Sequence, residues 1–334
     1  MLRFTDLDAP GIIRKRVGRA WAYFDAKGKR VTDREEIDRL NAIGLPPAYT
    51  DCWLNPDPDG HIQAIGVDAR GRRQYRYHPD FRARREAGKY EGCLEFGKAL
   101  SKIRRQVDKD LRRKALDKRR VVAAVVRLLD EEKVRVGNRQ YARENKSFGA
   151  TTLMTRHLKR RQGRLLMRFA GKHGIIHEVS LTDRRLARVV KRCQELPGQL
   201  LFQYINGDGE PQPVTSADVN DYIREASGGD FTAKHFRTWG ASVIAFEQLL
   251  KKEEDKRISV RTMIEPVAEA LGNTTAMARK SYVHPALVEA TKEQPRDPLN
   301  GMERPRARKW LSSAEVGFLQ FLRKQKRRRR KAAA

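Results

Sequence analysis

The stretch that decides the fold of the longer part of the chain is RLLMRFAGKHGIIHEVSL, residues 164–181. Its two outer segments, 164–170 and 175–181, are rich in β-favouring residues, and the glycine-containing turn GKHG (171–174) joins them. Two such runs joined by a short turn with glycine are typical of a β-hairpin. The sequence therefore predicts a hairpin with Lys172 at its tip.

On both sides of this hairpin the sequence has helical periodicity. Apolar residues recur every three or four positions at Leu100, Ile103, Val107 and Leu111, and a second stripe starts at Val121. This spacing places them on one face of a helix, which favours burial of that face. Further helices are predicted at 182–196, 216–226, 233–250 and 260–271. The hairpin is therefore expected inside a mainly α domain.

The first part of the chain has a different pattern. Between residues 11 and 77, short apolar segments alternate with Gly, Pro and Asp turns, and one helix is predicted near 33–41. A charged stretch with Gly88 suits an exposed linker. The predicted fold class is α+β: a small β-rich N-terminal domain, a larger mainly α catalytic domain with a small β-hairpin sheet, and a basic C-terminal tail. The predicted boundaries are 1–84, 85–92 for the linker, 93–303 and 304–334.

The C-terminal tail begins with a helix signal and ends in a run of cations. The capping-box pattern SSAE (312–315) predicts a short helix, and residues 323–331 are nearly all basic. One interpretation is a disordered, solubilising tail. Near a polyanion, the same run adds affinity that is independent of sequence and weakens with salt.

The charge of the chain points to a polyanionic partner. The 334 residues carry 71 Lys and Arg against 42 Asp and Glu, a net charge of +29. Without residues 304–334 the chain still has 59 basic and 41 acidic residues, net +18. The body itself is therefore cationic, as expected for binding nucleic acid or an anionic membrane surface. No strongly amphipathic basic helix dominates, which favours nucleic acid.

Several other classes of protein are disfavoured. The sequence has no apolar run of about 18 residues and no secretory pattern at its start, so we expect a cytoplasmic, nucleoid-associated protein without membrane contact. Cys52, Cys93 and Cys193 have no ligand spacing and are expected to be reduced, mostly buried thiols. The His173/His177 pair has helical ligand spacing, but it lies among β-favouring residues, so no metal site is predicted.

Four separated patterns could together carry chemistry. They are RVGNRQY (135–141), the hairpin Lys172, KHFRTW (234–239), and LGN (271–273) with Tyr282 nine residues after Asn273. In chain order they resemble the active-site segments of type IB DNA topoisomerases, in particular the compact poxvirus and bacterial branch. Two further segments, ENKSFG (144–149) and QYRY (74–77), belong to the same resemblance, which spans about 11–283.

The resemblance implies a role for each matching residue. Arg135, Lys172, Arg237 and Tyr282 match the two arginines, the lysine and the nucleophile of the family, and Asn273 stands where histidine is usual. Family members cut one strand of duplex DNA, form a 3′-phosphotyrosyl bond, allow strand rotation and rejoin the ends. They use neither metal nor ATP, so no cofactor is expected. The implied form is a monomer that clamps double-stranded DNA.

The proposed chemistry requires these residue types for independent reasons. A phosphodiester under attack gains negative charge, which fixed guanidinium groups stabilise, and this suits Arg135 and Arg237. A tyrosine with a pKa of about 10 needs nearby positive charge to attack as a phenolate. A lysine at a mobile hairpin tip suits protonation of the leaving oxygen, with Arg135 assisting. The amide of Asn273 donates to a phosphate oxygen but lacks the charge of an imidazolium.

Four residues are candidates for direct contact with DNA. The resemblance assigns Tyr141 to a phosphate or a base edge, and packing within a helix is the alternative. Gln74, Tyr75 and Tyr77 are assigned to the major groove, with plain β packing as the alternative. We place Tyr75 on the face opposite the other two, which limits simultaneous contact unless the strand lies at an edge or bends.

Two other functions share part of this evidence. A tyrosine recombinase uses the same arginine, lysine and tyrosine chemistry, but it usually has histidine where this chain has Lys234, and its N-terminal domain is helical. An architectural DNA-binding protein without activity explains the charge equally well. Taken singly, each arginine is better explained as a solvated or ion-paired side chain, and His284 is expected to be structural. The ordered set of residues favours the topoisomerase.

Overall fold

The computed structural model describes residues 1–88, 90–161, 164–251, 258–292 and 305–332. The chain divides into two units, Met1–Glu91 and Gly92–Ala334. The first contains a β-sheet and the second is mainly helical with small sheets, so the α+β fold predicted from the sequence is confirmed.

The first unit is built on a five-stranded antiparallel sheet in the order β2-β1-β3-β4-β5. Its small core includes Ile12, Tyr23, Leu40, Leu54 and Ala64, which come from strands and one helix. Helix α1 begins after Asp33, whose carboxylate accepts a hydrogen bond from the amide of Glu35 and so caps the helix. The elements of this unit are β1 (Ile12–Val17), β2 (Ala20–Phe24), α1 (Arg34–Ala42), β3 (Thr50–Leu54), β4 (Ile62–Val67), β5 (Arg73–Tyr77) and α2 (Pro79–Gly88).

Strand β5 lies at the edge of this sheet, and its aromatic residues share one face. The rings of Tyr75 and Tyr77 stack with centroids 6.3 Å apart, and Tyr77 stacks in turn on Phe81 at 5.7 Å. The prediction that Tyr75 faces away from Tyr77 is therefore wrong. Because side chains alternate along a strand, residues 75 and 77 share a face. Gln74 lies on the other face and donates a hydrogen bond to Asp68 at 3.0 Å.

The predicted linker at 85–92 is helical in its first part. Helix α2 continues to Gly88, Lys89 lies outside the described residues, and the division between the units follows Glu91. Between Asp80 and Ala87 no glycine or proline interrupts the helix. At its start, the amide of Asp80 donates to Nδ1 of His78 at 3.1 Å. A charged surface helix and an exposed linker have similar compositions, which explains the difference.

The second unit buries one continuous core between helices α3, α4, α6, α7 and α8. Long apolar faces such as that of α4, where Val121 and Val125 have no exposed surface, give this core its size. Helix α8 is mostly buried and carries Arg237 and Trp239. The helices are α3 (Cys93–Leu111), α4 (Lys118–Glu132), α5 (Arg139–Asn145), α6 (Arg184–Gln194), α7 (Ser216–Ser227), α8 (Ala233–Leu250), α9 (Val260–Leu271), α10 (Thr275–Ser281), α11 (Pro285–Lys292) and α12 (Ser313–Ala332).

The predicted hairpin is present as part of a three-stranded antiparallel sheet in the order β6-β7-β8. Lys172 lies in the turn between β7 and β8, where His173 adopts a left-handed conformation with φ of 64°. Strand β6 was not predicted, because its mostly charged residues give no apolar alternation. The strands are β6 (Leu158–Arg161), β7 (Arg164–Ala170), β8 (Ile176–Ser180), and the separate pair β9 (Gln203–Ile205) and β10 (Pro211–Pro213).

The C-terminal helix α12 differs from the predicted short helix followed by a separate tail. It is one helix of 20 residues, and its apolar half joins the main core through Phe318 and Phe321. The predicted capping box is confirmed, because Ser312 and Glu315 exchange hydrogen bonds at 2.8 and 3.2 Å. Glu315 also receives the Arg104 guanidinium at 2.8 Å. The predicted boundary at 303/304 lies outside the described residues.

Two general expectations concern the whole chain. The three cysteines are free and buried, and burial raises the pKa of Cys93 and Cys193 to about 12. In the described ranges, no helix is long and apolar enough to cross a membrane. No group of three or more His, Cys, Asp or Glu residues within those ranges is arranged to hold a metal ion.

Candidate active site

Tyr282 lies at the end of α10, in the turn that leads into α11. Its amide donates to the carbonyl of Ala278 at 3.0 Å, and its carbonyl lies 3.3 Å from the hydroxyl of Ser242, whose shorter hydrogen bond goes to the carbonyl of Thr238 at 2.8 Å. The same hydroxyl receives the amide of His284 at 3.0 Å. Ser242, which is fully buried on α8, therefore fixes the backbone on both sides of Val283.

Arg237 lies beneath the ring of Tyr282. Its guanidinium carbon is 4.9 Å from the ring centroid, and only 4% of the residue is exposed. Nη1 donates to the carbonyl of Lys133 and Nη2 to the carbonyl of Leu271 at 3.2 Å. These carbonyls come from the ends of α4 and α9, where helices leave carbonyl groups without partners. Burial, followed by the charge of Arg135, lowers the pKa of Arg237 to about 10.

The phenol of Tyr282 lies in a positive environment. Burial raises its pKa, but the nearby charges of Arg237 and Arg135 and their hydrogen bonds to the phenol outweigh this effect. The pKa of Tyr282 is therefore below its usual value of about 10. This is the electrostatic condition that a tyrosine nucleophile requires.

Arg135 is held by a close contact between two backbone segments. Its carbonyl accepts the amide of Ala150 at 2.8 Å, and Gly137 has a φ of 97° that favours glycine. A β-carbon on Gly149 would lie 2.6 Å from the nitrogen of Gly137, so a larger residue does not fit there. The amide of Phe148 donates to the carbonyl of Ala170 at 2.8 Å. The ENKSFG segment thereby connects the arginine loop to the hairpin sheet.

Asn273 completes the set in contact with these arginines. Its Oδ1 accepts a hydrogen bond from Nη2 of Arg135 at 3.1 Å. Its Nδ2 is buried and has no hydrogen-bond partner among the described residues, and the same is true of Nε of Arg237. Because unpaired buried donors are costly, an anionic oxygen fits beside them. Gly272 ends α9 in a left-handed conformation, with φ of 57°, and turns the chain toward Asn273.

Lys172 stays outside this cluster. It is exposed at the hairpin tip, and its ammonium group has no hydrogen bond or ion pair with the residues that the structure describes. The structure therefore brings Arg135, Arg237, Asn273 and Tyr282 together and leaves Lys172 on the adjacent hairpin.

The remaining candidates are surface residues of both units. Tyr141 is half-buried on α5, which has no fully buried residue, and Asn138 Oδ1 caps the amide of Tyr141 at 2.8 Å. Tyr75 is 39% exposed. Gln74 already uses its amide nitrogen in the bond to Asp68.

Sequence reasoning missed two residues beside the site and judged a third correctly. Ser242 carries no motif, and only its position one helical turn after Thr238 would have suggested it. His177 was weighed as a metal ligand, but its ring stacks on Phe169 with centroids 5.3 Å apart. His284 has the predicted structural role, since its Nδ1 accepts the amide of Ala286 at 3.2 Å.

Comparison with known protein families places this chain among the DNA topoisomerases. Residues 78–303 match the family described as eukaryotic DNA topoisomerase I, catalytic core, and residues 20–68 match the bacterial DNA topoisomerase IB N-terminal domain. The first match covers more than half of the chain. The chain therefore belongs to the type IB DNA topoisomerase family, and it is an enzyme of the isomerase class.

Individual relatives agree with this assignment. DNA topoisomerase 1B of Acanthamoeba polyphaga mimivirus is 31% identical over 297 residues, which cover 85% of this chain and 88% of that protein. DNA topoisomerase 1B of vaccinia virus (strain Copenhagen) is 21% identical over 69% of this chain and 72% of the relative. A structure of the XerH site-specific recombinase on a palindromic difH substrate covers 58% of this chain and 50% of its own, with 18% identity and a TM-score of 0.37. That structural similarity is too low to carry an argument.

Proposed function

We propose that this protein relaxes supercoiled duplex DNA by cutting one strand through a 3′-phosphotyrosyl intermediate on Tyr282 and then resealing it. The observation that supports this most strongly is the position of Tyr282 against two guanidinium groups, which lower the pKa of its phenol. If Tyr282 served only for packing, it would not need a buried arginine beneath its ring.

In the proposed cleavage step, the phenolate oxygen of Tyr282 attacks the scissile phosphorus and the bond to the 5′ oxygen breaks. Arg135 and Arg237 stabilise the extra negative charge on the nonbridging oxygens. The unpaired Nδ2 of Asn273 donates to one of these oxygens. The phosphate charge also offsets the cost of burying Arg237.

The leaving oxygen takes its proton from Lys172, with assistance from Arg135. An alkoxide is a poor leaving group, so a positioned acid accelerates its departure. Because Lys172 is exposed on the hairpin tip, the hairpin must place it beside the 5′ oxygen when DNA is bound. The reverse step, attack of the 5′ hydroxyl on the phosphotyrosine, reseals the strand. The bond energy is conserved, so resealing needs no ATP, and the two guanidinium groups supply the charge stabilisation for which other phosphoryl-transfer enzymes use a metal ion.

Duplex DNA is the proposed partner of both units. The net charge of +29 supplies sequence-independent affinity for phosphates. In the first unit, Tyr75 and Tyr77 offer stacked rings at an edge strand for contact with bases, and Gln74 lies on the other face of that strand. In the second unit, Tyr141 is proposed to contact DNA beside the Arg135 loop. The monomeric clamp and the cytoplasmic, nucleoid-associated location stay predictions.

The direct test uses supercoiled plasmid in EDTA without ATP. We expect relaxed DNA, and an unchanged plasmid across a range of salt concentrations would contradict the proposal. Tyr282→Phe removes the nucleophile and should abolish the covalent protein–DNA adduct trapped by denaturation while duplex binding persists. Tyr204→Phe, a half-buried tyrosine on β9, is the matched control and should form the adduct normally. An adduct that persists in Tyr282→Phe would refute the assignment of the nucleophile.

The same experiments separate the two alternative functions. An architectural protein would bind DNA without forming an adduct. A recombinase would form the adduct and also exchange strands between two specific sites, which a strand-exchange assay detects. The match of residues 20–68 to a topoisomerase N-terminal domain and the presence of Lys234 favour relaxation.

A further inference from the structure

The imidazole of His177 occupies the space between two glycines that each precede a candidate active-site residue. A β-carbon on Gly171, the residue before Lys172, would lie 2.6 Å from Nε2 of His177. A β-carbon on Gly272, the residue before Asn273, would lie 2.9 Å from Cε1 of the same ring. The ring therefore contacts the backbone of both segments at distances that exclude any side chain.

The ring is held in this place from behind. His177 pairs with Phe169 across β7 and β8, and the two rings stack at 5.3 Å with an interplanar angle of 19°. The amide of Gly171 donates to the carbonyl of Ile175 at 2.7 Å, which closes the turn that carries Lys172. Cγ2 of Ile175 also lies against Gly272, 3.2 Å from the position of a β-carbon there. The base of the hairpin is therefore packed on the end of α9.

The charge of the surroundings fits a packed, neutral ring. Burial and then the positive charges of Arg237 and Arg135 lower the pKa of His177. At neutral pH the imidazole is therefore uncharged and suited to van der Waals contact with the two glycines. The influence of both arginines also places the ring close to the cluster around Tyr282.

We propose that His177 is a positioning residue that joins the hairpin of Lys172 to the loop of Asn273, so that Lys172 meets the leaving oxygen of the phosphate held by Arg135, Arg237 and Asn273. This inference rests on the proposed function. Lys172 has no partner of its own among the described residues, so the packing at the hairpin base is what positions the backbone from which its side chain extends. A displacement of about 1 Å in a reacting group costs on the order of 10²-fold in rate.

A change of leaving group distinguishes this role from a general loss of structure. In natural DNA the P–O5′ bond breaks, and the oxygen must take a proton from Lys172. If sulfur replaces that bridging oxygen, the P–S bond breaks and a thiolate leaves. A thiol has a pKa of about 8.5, so its thiolate needs no proton donor. A defect that acts through Lys172 should therefore disappear on the 5′-thio substrate.

The experiment measures single-turnover cleavage of matched oxygen and 5′-thio duplexes. We expect His177→Ala to cleave the oxygen substrate about 100-fold more slowly than wild type and the thio substrate at nearly the wild-type rate. His177→Phe, which keeps a flat ring between the glycines, should restore most of the oxygen rate. Partial unfolding lowers both rates equally, so the ratio of the two rates is insensitive to stability.

Two controls sharpen the result. Arg237→Ala should be slow on both substrates, because its charge is needed whatever group leaves. His157→Ala removes another histidine, which ends the short helical turn before β6 and whose ring centroid lies 4.5 Å from that of Phe148, and it should leave the ratio of rates unchanged. Gly171→Ala, whose methyl group meets the His177 ring, should reproduce the His177→Ala defect. In the double variant the two losses should not add.

The outcomes separate failure of this inference from failure of the proposed function. If wild type forms no adduct with either substrate, the proposed function fails and this inference with it. If wild type cleaves and His177→Ala is equally slow on both substrates, or equally fast, the positioning role is overturned. If His177→Phe is as slow as His177→Ala on the oxygen substrate only, the imidazole itself transfers the proton and the positioning role is overturned as well.

Discussion

Asn273 and Arg237 each carry a buried nitrogen without a hydrogen-bond partner in the described part of the chain. Such donors are rare in folded proteins and are costly to maintain. Both lie beside Tyr282, the tyrosine whose phenol is affected by Arg237 and Arg135 together. The phosphate of the proposed substrate would pair both donors, whereas the unpaired Nε atoms of Arg14, Arg120 and Arg127 belong to arginines outside the candidate site.

The amide of Asn273 should therefore contribute directly to the rate of cleavage. A hydrogen bond to a charged group is worth about 1.5–3 kcal/mol, so we expect Asn273→Ala to slow single-turnover cleavage by roughly 10- to 100-fold. Asn273→His should retain the activity, because an imidazolium also donates to the phosphate. Thermal unfolding of both variants controls for removal of the hydrogen bond to Arg135. Wild-type cleavage by Asn273→Ala would show that Nδ2 does not contact the phosphate.

At the residue scale, the sequence predicted which residues form the candidate site better than it predicted what surrounds each of them. Arg237, Tyr282 and Asn273 were found from their order and spacing, and the structure brings them together. The contact of His177 with Gly171 and Gly272 could not be predicted, because it depends on shape alone and joins segments far apart in the chain. The spacing of residues in the sequence can indicate a motif, whereas the contact of a side chain with a distant glycine is known only once the folded backbone is known.

The helices and strands likewise divide into those that the sequence predicted and those that it did not. Helices α8 and α9 begin and end as the sequence predicts: Ser259 caps the start of α9 and Gly272 ends it, and at the start of α8 the amide of Thr232 donates to Nδ1 of His235. Strand β6 was missed, and α12 was taken for a short helix with a tail. In both cases charged residues hide the element: β6 is stabilised by pairing with β7, and α12 by burial of its apolar half on the core. Tertiary contacts override local composition there.

The end of helix α4 offers a test of burial and pH. Burial, reinforced by Asp183 and Asp130 and opposed by Arg127, raises the pKa of Glu131 from 4.5 to about 7. Between these values the folded state binds more protons than the unfolded state, so this group's contribution to stability falls as pH rises from about 4.5 to 7. Glu131→Gln mimics the protonated form. We expect it to be more stable than wild type at pH 8 and close to wild type at pH 5.

Urea unfolding at the two pH values measures this difference. Glu265→Gln, which changes an exposed carboxylate paired with Arg261, provides the baseline for a surface position. An equal difference between Glu131→Gln and wild type at pH 5 and pH 8 would show that Glu131 has no raised pKa.

For the whole molecule, the net charge predicted a polyanionic partner. It did not predict which basic side chains contact that partner. Many basic side chains are already paired: Arg224 contacts Asp221, Arg261 contacts Glu265, and Lys292 contacts Glu289. By contrast, Arg323, Lys326 and Arg327 are exposed on α12. They line a groove of about 290 Å³ together with Lys98 and Leu94. Lys326 approaches Glu95 only to 4.0 Å. Because α12 packs on the core, the helix backbone that carries these cations has a fixed position, which a flexible tail would not provide.

When such exposed cations bind DNA phosphates, they displace the counterions of those phosphates. The number of counterions released can be measured from the salt dependence of binding. The slope of log K against log salt for duplex binding changes by about 0.9 for each phosphate that the protein neutralises. Replacing Arg323, Lys326 and Arg327 by Gln should therefore reduce the slope by up to about 2.7 if all three bind phosphates. The matched control replaces Arg224, Arg261 and Lys292 by Gln: it removes the same charge from cations that are already paired and should leave the slope nearly unchanged. Equal slopes for the two triple variants would mean that net charge, and not the position of α12, sets the affinity for DNA.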